Sequence, residues 1–116
     1  MSRVIKQKKG NYVIINNLRE EIEVSDVDAI FPFHNEIATF RVSTKDGKKF
    51  GYINSNGVKI TKNVYDHAED FGEYYGLVKI GKLQNLIDRS GKELFEWKYT
   101  YVTPFMKKTF IAKFIY

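Results

Sequence analysis

The groups with obvious chemistry in this 116-residue chain are two imidazoles, His34 and His67, and a scatter of carboxylates; cysteine is absent. Without thiols there can be no disulfide, no thiolate metal ligand and no cysteine nucleophile. His67 stands in the run Tyr65-Asp66-His67-Ala68-Glu69-Asp70-Phe71, whose nitrogen and oxygen donors are those a divalent metal takes. A metal needs convergent ligands, however, and the run reads better as a solvated crossover, with His34 a turn residue elsewhere. Glu20, Glu21 and Glu23 could supply paired acids only if a cleft held them in unlike environments so that their pKa values separated. They read as a solvated strand face. Neither a nucleophile-elbow serine nor a Gly-rich phosphate loop is present. The expectation is a chain that is not an enzyme and takes no metal or cofactor.

Basic residues are a second candidate chemistry. The formal charge is +5, from 19 Lys and Arg against 14 Asp and Glu. Lys45, Lys48, Lys49, Lys59, Lys62, Lys79, Lys82, Lys107, Lys108 and Lys113 recur beside aromatics. Lysines that contact phosphates and aromatics that stack on bases would make a nucleic-acid surface. Against that, arginine is limited to Arg3, Arg19, Arg41 and Arg89, and lysines on exposed strand positions also discourage aggregation. Nucleic-acid binding is therefore the alternative.

The elements that would position these groups are strands. A 43% hydrophobic share with 16% aromatics is too apolar for disorder, and aromatic side chains suit a pleated, half-buried surface. The chain has the length of one domain. No window is long and apolar enough for a signal-peptide core or a membrane span, so no membrane is expected and the cytoplasm is the expected compartment.

Spacing reveals a repeat. Phe50-Gly51-Tyr52-Ile53-Asn54-Ser55-Asn56-Gly57 is echoed 34 residues later by Gln84-Asn85-Leu86-Ile87-Asp88-Arg89-Ser90-Gly91. From Ile53 the anchors Tyr65, Phe71 and Ile80 follow at steps of twelve, six and nine. Tyr99, Phe105 and Phe114 follow Ile87, and Val27, Phe33 and Val42 follow Ile15, at those same steps. The offset from first unit to second is 38. Its four extra residues are expected in a hairpin loop around Lys45-Asp46-Gly47-Lys48, where insertion is tolerated. The fold predicted is all-β: three consecutive hairpin and crossover repeats of about 34–38 residues in one small domain, 1–116, with units at about 8–43, 44–80 and 81–116.

These residues resemble the bacterial WG-repeat family. Lys49-Phe50-Gly51-Tyr52-Ile53-Asn54, Gly57, Tyr65-Asp66, Ala68 and Phe71 follow its pattern, with Phe50 where the family has Trp. In the third unit Gln84-Asn85 replaces the aromatic-Gly pair, and in the first Arg19 stands where the closing Gly belongs. The resemblance implies a β-rich array without known catalytic residues.

The segment 109–116 is strongly apolar, and its counterpart in the second unit continues into a hairpin partner. Unless the segment around Val4-Ile5 covers it, this edge offers backbone groups for strand addition or self-association. The expected function is a non-catalytic protein-binding module using Tyr74, Tyr75, Trp97, Ile111, Lys113 and Phe114. A small inhibitor or immunity-type protein that occludes a larger enzyme is its sharper form.

Overall fold

The computed structural model describes residues 3–6, 11–106 and 109–114. Among the described residues there are eleven strands and no helix, and every strand pairing is antiparallel. A first sheet holds β1 (Arg3–Lys6), β2 (Tyr12–Ile15) and β3 (Glu21–Val24) in that order. A second holds β4 (Ala29–Ile30), β5 (Ile37–Thr44) and β6 (Gly47–Asn54). The third holds β7 (His67–Ala68), β8 (Tyr75–Ile80), β9 (Leu83–Asp88), β10 (Tyr99–Met106) and β11 (Thr109–Phe114), β11 and β7 being its two ends.

The pairing register repeats with the sequence offsets. Ala29 and Ile30 of β4 face Arg41 and Phe40 of β5. Adding 38 gives His67 and Ala68 of β7 against Lys79 and Val78 of β8. A further 34 gives Tyr101 and Val102 of β10 against Lys113 and Ala112 of β11. The step from one unit to the next repeats too: Phe50 and Tyr65 exchange both backbone hydrogen bonds, at 2.8 and 3.2 Å, and the equivalent Gln84 pairs with Tyr99. Three units therefore overlay in one phase.

One turn recurs at the head of each unit. The side-chain oxygens of Asn16, Asn54 and Asp88 each accept the backbone N–H groups two and four residues ahead, at 2.9 to 3.1 Å. Three-residue loops follow, whose last residue takes the left-handed conformation: Arg19 at φ 61°, Gly57 at 80° and Gly91 at 90°. Glycine is needed in the latter two for a second reason. A Cβ on Gly57 would lie 2.5 Å from Ile22 Cγ2, and one on Gly91 would strike the Ile60 carbonyl oxygen, Ile22 and Ile60 being equivalent positions of the preceding unit. Arg19 is exposed and carries only the backbone strain of a side chain at positive φ. Arg19→Gly should therefore stabilise the fold by about 0.5–1 kcal/mol, read as a higher denaturation midpoint at unchanged slope.

Asp88 also makes this turn sensitive to acid. Burial pushes its carboxyl up, but hydrogen bonds from Ser90 and from the Lys92 N–H, with the Lys92 charge, outweigh that and hold it below 3.8. Asp28, bonded by Ser43 and Arg41, and Asp66, bonded by Lys49 and the Gly81 N–H, are held low likewise. Near and below 3.8 the unfolded chain then binds more protons than the folded one. The stabilisation is fully present above that pH and is lost as the pH falls through the lower folded values. Asp88→Asn should keep the turn, since Asn16 and Asn54 make it, while flattening the fall in melting temperature between pH 5 and 3; an unchanged acid limb would contradict this.

Alternation within strands sends side chains to two cores at the junctions between units. Ile14, Val24, Val27, Ile30, Ala38, Phe40 and Ile53 form the first. Ile37, Tyr52, Tyr65, Ala68, Phe71, Val78 and Ile87 form the second. Phe40 and Tyr52 are wholly buried, each stabilising the fold by roughly 1.5–3 kcal/mol. The buried Tyr52 hydroxyl donates to the Glu69 carbonyl at 2.6 Å, and burial pushes its pKa far above the usual tyrosine value.

Three details go beyond the sequence reading, and the first corrects it. The four extra residues of the second unit form no enlarged loop: β5 and β6 each have eight residues where β8 and β9 have six. Both hairpins turn through two residues, so the insertion lengthens each arm by two. Ile80 and Phe114, apolar anchors of the repeat spacing, are 39% and 51% exposed, because they lie at strand ends beyond the cores. Finally, β1 pairs with β2 in a different sheet from β11, so residues 4 and 5 do not pair with β11. The Phe105 side chain and the residues Lys107, Lys108 and 115–116 lie outside the described set.

Candidate functional site

The hairpin of β10 and β11 carries a run of touching rings. Tyr74 and Tyr75 have centroids 6.3 Å apart, and Tyr75 meets Phe110 edge-on at 5.2 Å. Phe110 meets Phe95 at 5.2 Å, Phe95 meets Tyr99 at 5.9 Å, and Tyr99 meets Phe114 at 5.2 Å. Lys98 Nζ sits over Tyr99 and Phe114, at 5.6 and 5.8 Å. Of the residues expected to bind a partner, Tyr74, Tyr75 and Phe114 are thus linked through Phe110, Phe95 and Tyr99, which sequence reasoning passed over. Ile111 and Lys113 share β11 but alternate with Phe110 and Phe114 and so fall on its other face. Ile111 is 49% exposed and stands in register with Thr103, Lys113 with Tyr101.

Trp97 lies apart. It is half-buried against the second core, its ring 6.0 Å from that of Tyr65, and its indole N–H donates to Glu93 at 3.0 Å. Burial first, then the hydrogen bond to Glu93, pushes the Tyr65 hydroxyl well above the ordinary tyrosine range.

What joins Ile111, Lys113 and the rings is the strand edge. By register, β11 is the counterpart of β5 and β8. β5 lies between β4 and β6, and β8 between β7 and β9; β11 has β10 on one side and is the last strand of its sheet among the described residues. Burial follows. Gly76 and Val78 of β8 are buried, whereas the equivalent Phe110 is half-buried and Ala112 exposed.

A separate cleft of about 320 Å³ is lined by Phe31, Pro32, His34, Thr39, Phe50, His67, Ala68 and Asp70. It lies where the crossovers of the first two units approach one another over β5 and β6, and it brings together the two histidines that sequence reasoning kept apart. His34 Nε2 is 3.4 Å from Asp70 Oδ2, and His67 Nε2 is 3.8 Å from Glu69 Oε2. Thr39 is 5% exposed and its hydroxyl has no hydrogen-bond partner in the protein. Among the described residues no group of three or more His, Asp and Glu side chains is arranged to hold a metal ion.

The described lysines stand in different settings. Lys45 and Lys48 are exposed on the β5–β6 hairpin; Lys49 binds Asp66, and Lys59 Nζ lies 5.3 Å over the Phe40 ring. No helix among the described residues is long and apolar enough to cross a membrane.

Residues 50–83 match the family described as WG containing repeat. The matched stretch runs from β6 through the β7 crossover and β8 to the first residue of β9. No curated protein and no solved structure is matched by the chain.

Proposed function

From a WG containing repeat flanked on both sides by units in its register, we propose that this chain is a non-catalytic protein-binding module that takes an extended strand of its partner onto β11. The observation that carries the reading is the place of β11 at the end of the sheet, in a position whose two counterparts, β5 and β8, are each covered by another strand. The incoming strand would run antiparallel to β11, as β6 does on β5 and β9 on β8. Main-chain hydrogen bonds would give affinity and alternate side chains specificity. The covering strands define what fits: adjacent bulky apolar residues, as in Tyr52-Ile53 and Leu86-Ile87, before an Asn or Asp. Tyr74, Tyr75 and Phe114 add aromatic area beside that strand, and Lys98 and Lys113 favour acidic flanks.

A fluorescent peptide of the β9 sequence, Leu-Gln-Asn-Leu-Ile-Asp, tests this directly. Saturable binding is expected, weakened about tenfold or more by Ile111→Asp and unaltered by Trp97→Ala. Equal binding by the Ile111 variant, or by a scrambled peptide, would contradict it. The inhibitor form of the reading further requires stoichiometric loss of an enzyme partner's activity, restored by Ile111→Asp. Affinity for nucleic acid instead would show as a steep loss with rising salt.

A further inference from the structure

The cleft between the first two crossovers has the makings of a second binding site, independent of β11. Its walls are aromatic: the Phe31 and Phe50 rings lie 6.3 Å apart, and His67 meets Phe50 edge-on at 6.4 Å. Asp70 lines its rim, its Oδ2 lying 3.4 Å from His34 Nε2, while Glu69 lies beside His67. The two nearby cations already have carboxylate partners, Arg41 in Asp28 and Lys49 in Asp66, and Arg41 covers one face of the Phe31 ring. The third feature is Thr39, more than nine-tenths buried and lining the cleft, with a hydroxyl that no protein group satisfies. A buried hydroxyl left without a partner is costly. A donor entering the cleft would remove that cost.

We propose that this cleft binds a guanidinium group, as carried by an arginine side chain. Aromatic faces attract a cation through the ring quadrupole, and a guanidinium is flat, weakly hydrated and able to stack on them. Its fork of N–H donors suits a carboxylate such as Asp70, and one remaining N–H can donate to Thr39 Oγ1. Twice within itself the chain sets a guanidinium over an aromatic ring with an oxygen acceptor beside it, once a carboxylate and once a backbone carbonyl. The Arg41 guanidinium lies 5.9 Å over Phe31 while Nε donates to Asp28 at 2.8 Å. The Arg89 guanidinium lies 5.6 Å over Phe71 while donating to the Asn35 carbonyl at 2.7 Å.

The test is a titration of the isotopically labelled chain with N-acetyl-arginine-N-methylamide and with its citrulline counterpart, which keeps the shape and loses the charge. Saturable shifts are expected at Thr39, His67 and Asp70, with the citrulline compound about tenfold weaker or more. Asp70→Asn, at a well-exposed side chain, should weaken arginine binding by a similar factor, and Thr39→Val by a few-fold. Ile111→Asp should change nothing, which separates this site from the strand edge. Equal binding of both compounds, indifference to Asp70→Asn, or no saturable shift up to roughly 50 mM ligand would overturn the proposal.

Discussion

Gly91→Ala is expected to destabilise the fold by about 2–5 kcal/mol, the sum of left-handed strain and overpacking. At φ 90° an alanine is strained wherever it sits, and here its Cβ would also strike the backbone carbonyl of Ile60 in the preceding unit. Neither atom can yield cheaply, since one is in a tight turn and the other in main chain that caps the second core. Urea denaturation checks this: the midpoint should fall sharply, opposite in sign to Arg19→Gly at the equivalent position. A shift below about 1 kcal/mol would mean that the turns do not rest on their neighbours as described.

Asn85→Leu is expected to cost roughly 2–4 kcal/mol, although leucine keeps the same branched shape. Asn85 is wholly buried at the position that Gly51 holds one unit earlier. At Gly51 a Cβ would lie 2.6 Å from the Lys62 carbonyl oxygen and 2.7 Å from the Phe40 ring, so the second unit packs main chain and ring against bare backbone. In the third unit the side-chain amide takes over. Asn85 Nδ2 donates to the Phe95 carbonyl at 2.7 Å, and its Oδ1 accepts the N–H groups of Leu86 and Phe95 at 2.8 and 3.1 Å. Leucine would fill the space and leave those groups unpaired. Asn85→Gly should also destabilise, because it opens a cavity and restores no bond. Thermal unfolding within about 0.5 kcal/mol of the parent for Asn85→Leu would contradict the assignment.

These two positions show what was legible in the sequence. The steps of twelve, six and nine could be read because each unit must present the same anchors and the same turn to the next, and the register follows those offsets through all three. The aromatic-Gly pair was legible at Phe50-Gly51 and illegible at Gln84-Asn85, since an amide that imitates a backbone partner looks nothing like a glycine. Arg19 was a poor letter for the closing turn, yet the turn forms because Asn16 holds it and only strain opposes it. Burial at the ends of the repeat does not follow from phase alone, since Ile80 and Phe114 keep phase with core residues but lie beyond the cores. Of the candidate sites, the edge of β11 could be anticipated from an apolar counterpart of β8. The cleft could not, because His34, Thr39, Phe50, His67 and Asp70 come from successive units, and a repeat displays what units share, not what two of them enclose.

The measurement that bears most directly on one register, with β11 the last strand of its sheet among the described residues, is amide hydrogen exchange compared across equivalent positions. Segments Ile37–Thr44 and Tyr75–Ile80, each held between two strands, should exchange slowly, while Thr109–Phe114 should lose its outward amides orders of magnitude sooner and regain protection with a bound strand peptide. Protection of Thr109–Phe114 matching that of Tyr75–Ile80 in the unbound monomer would contradict the account.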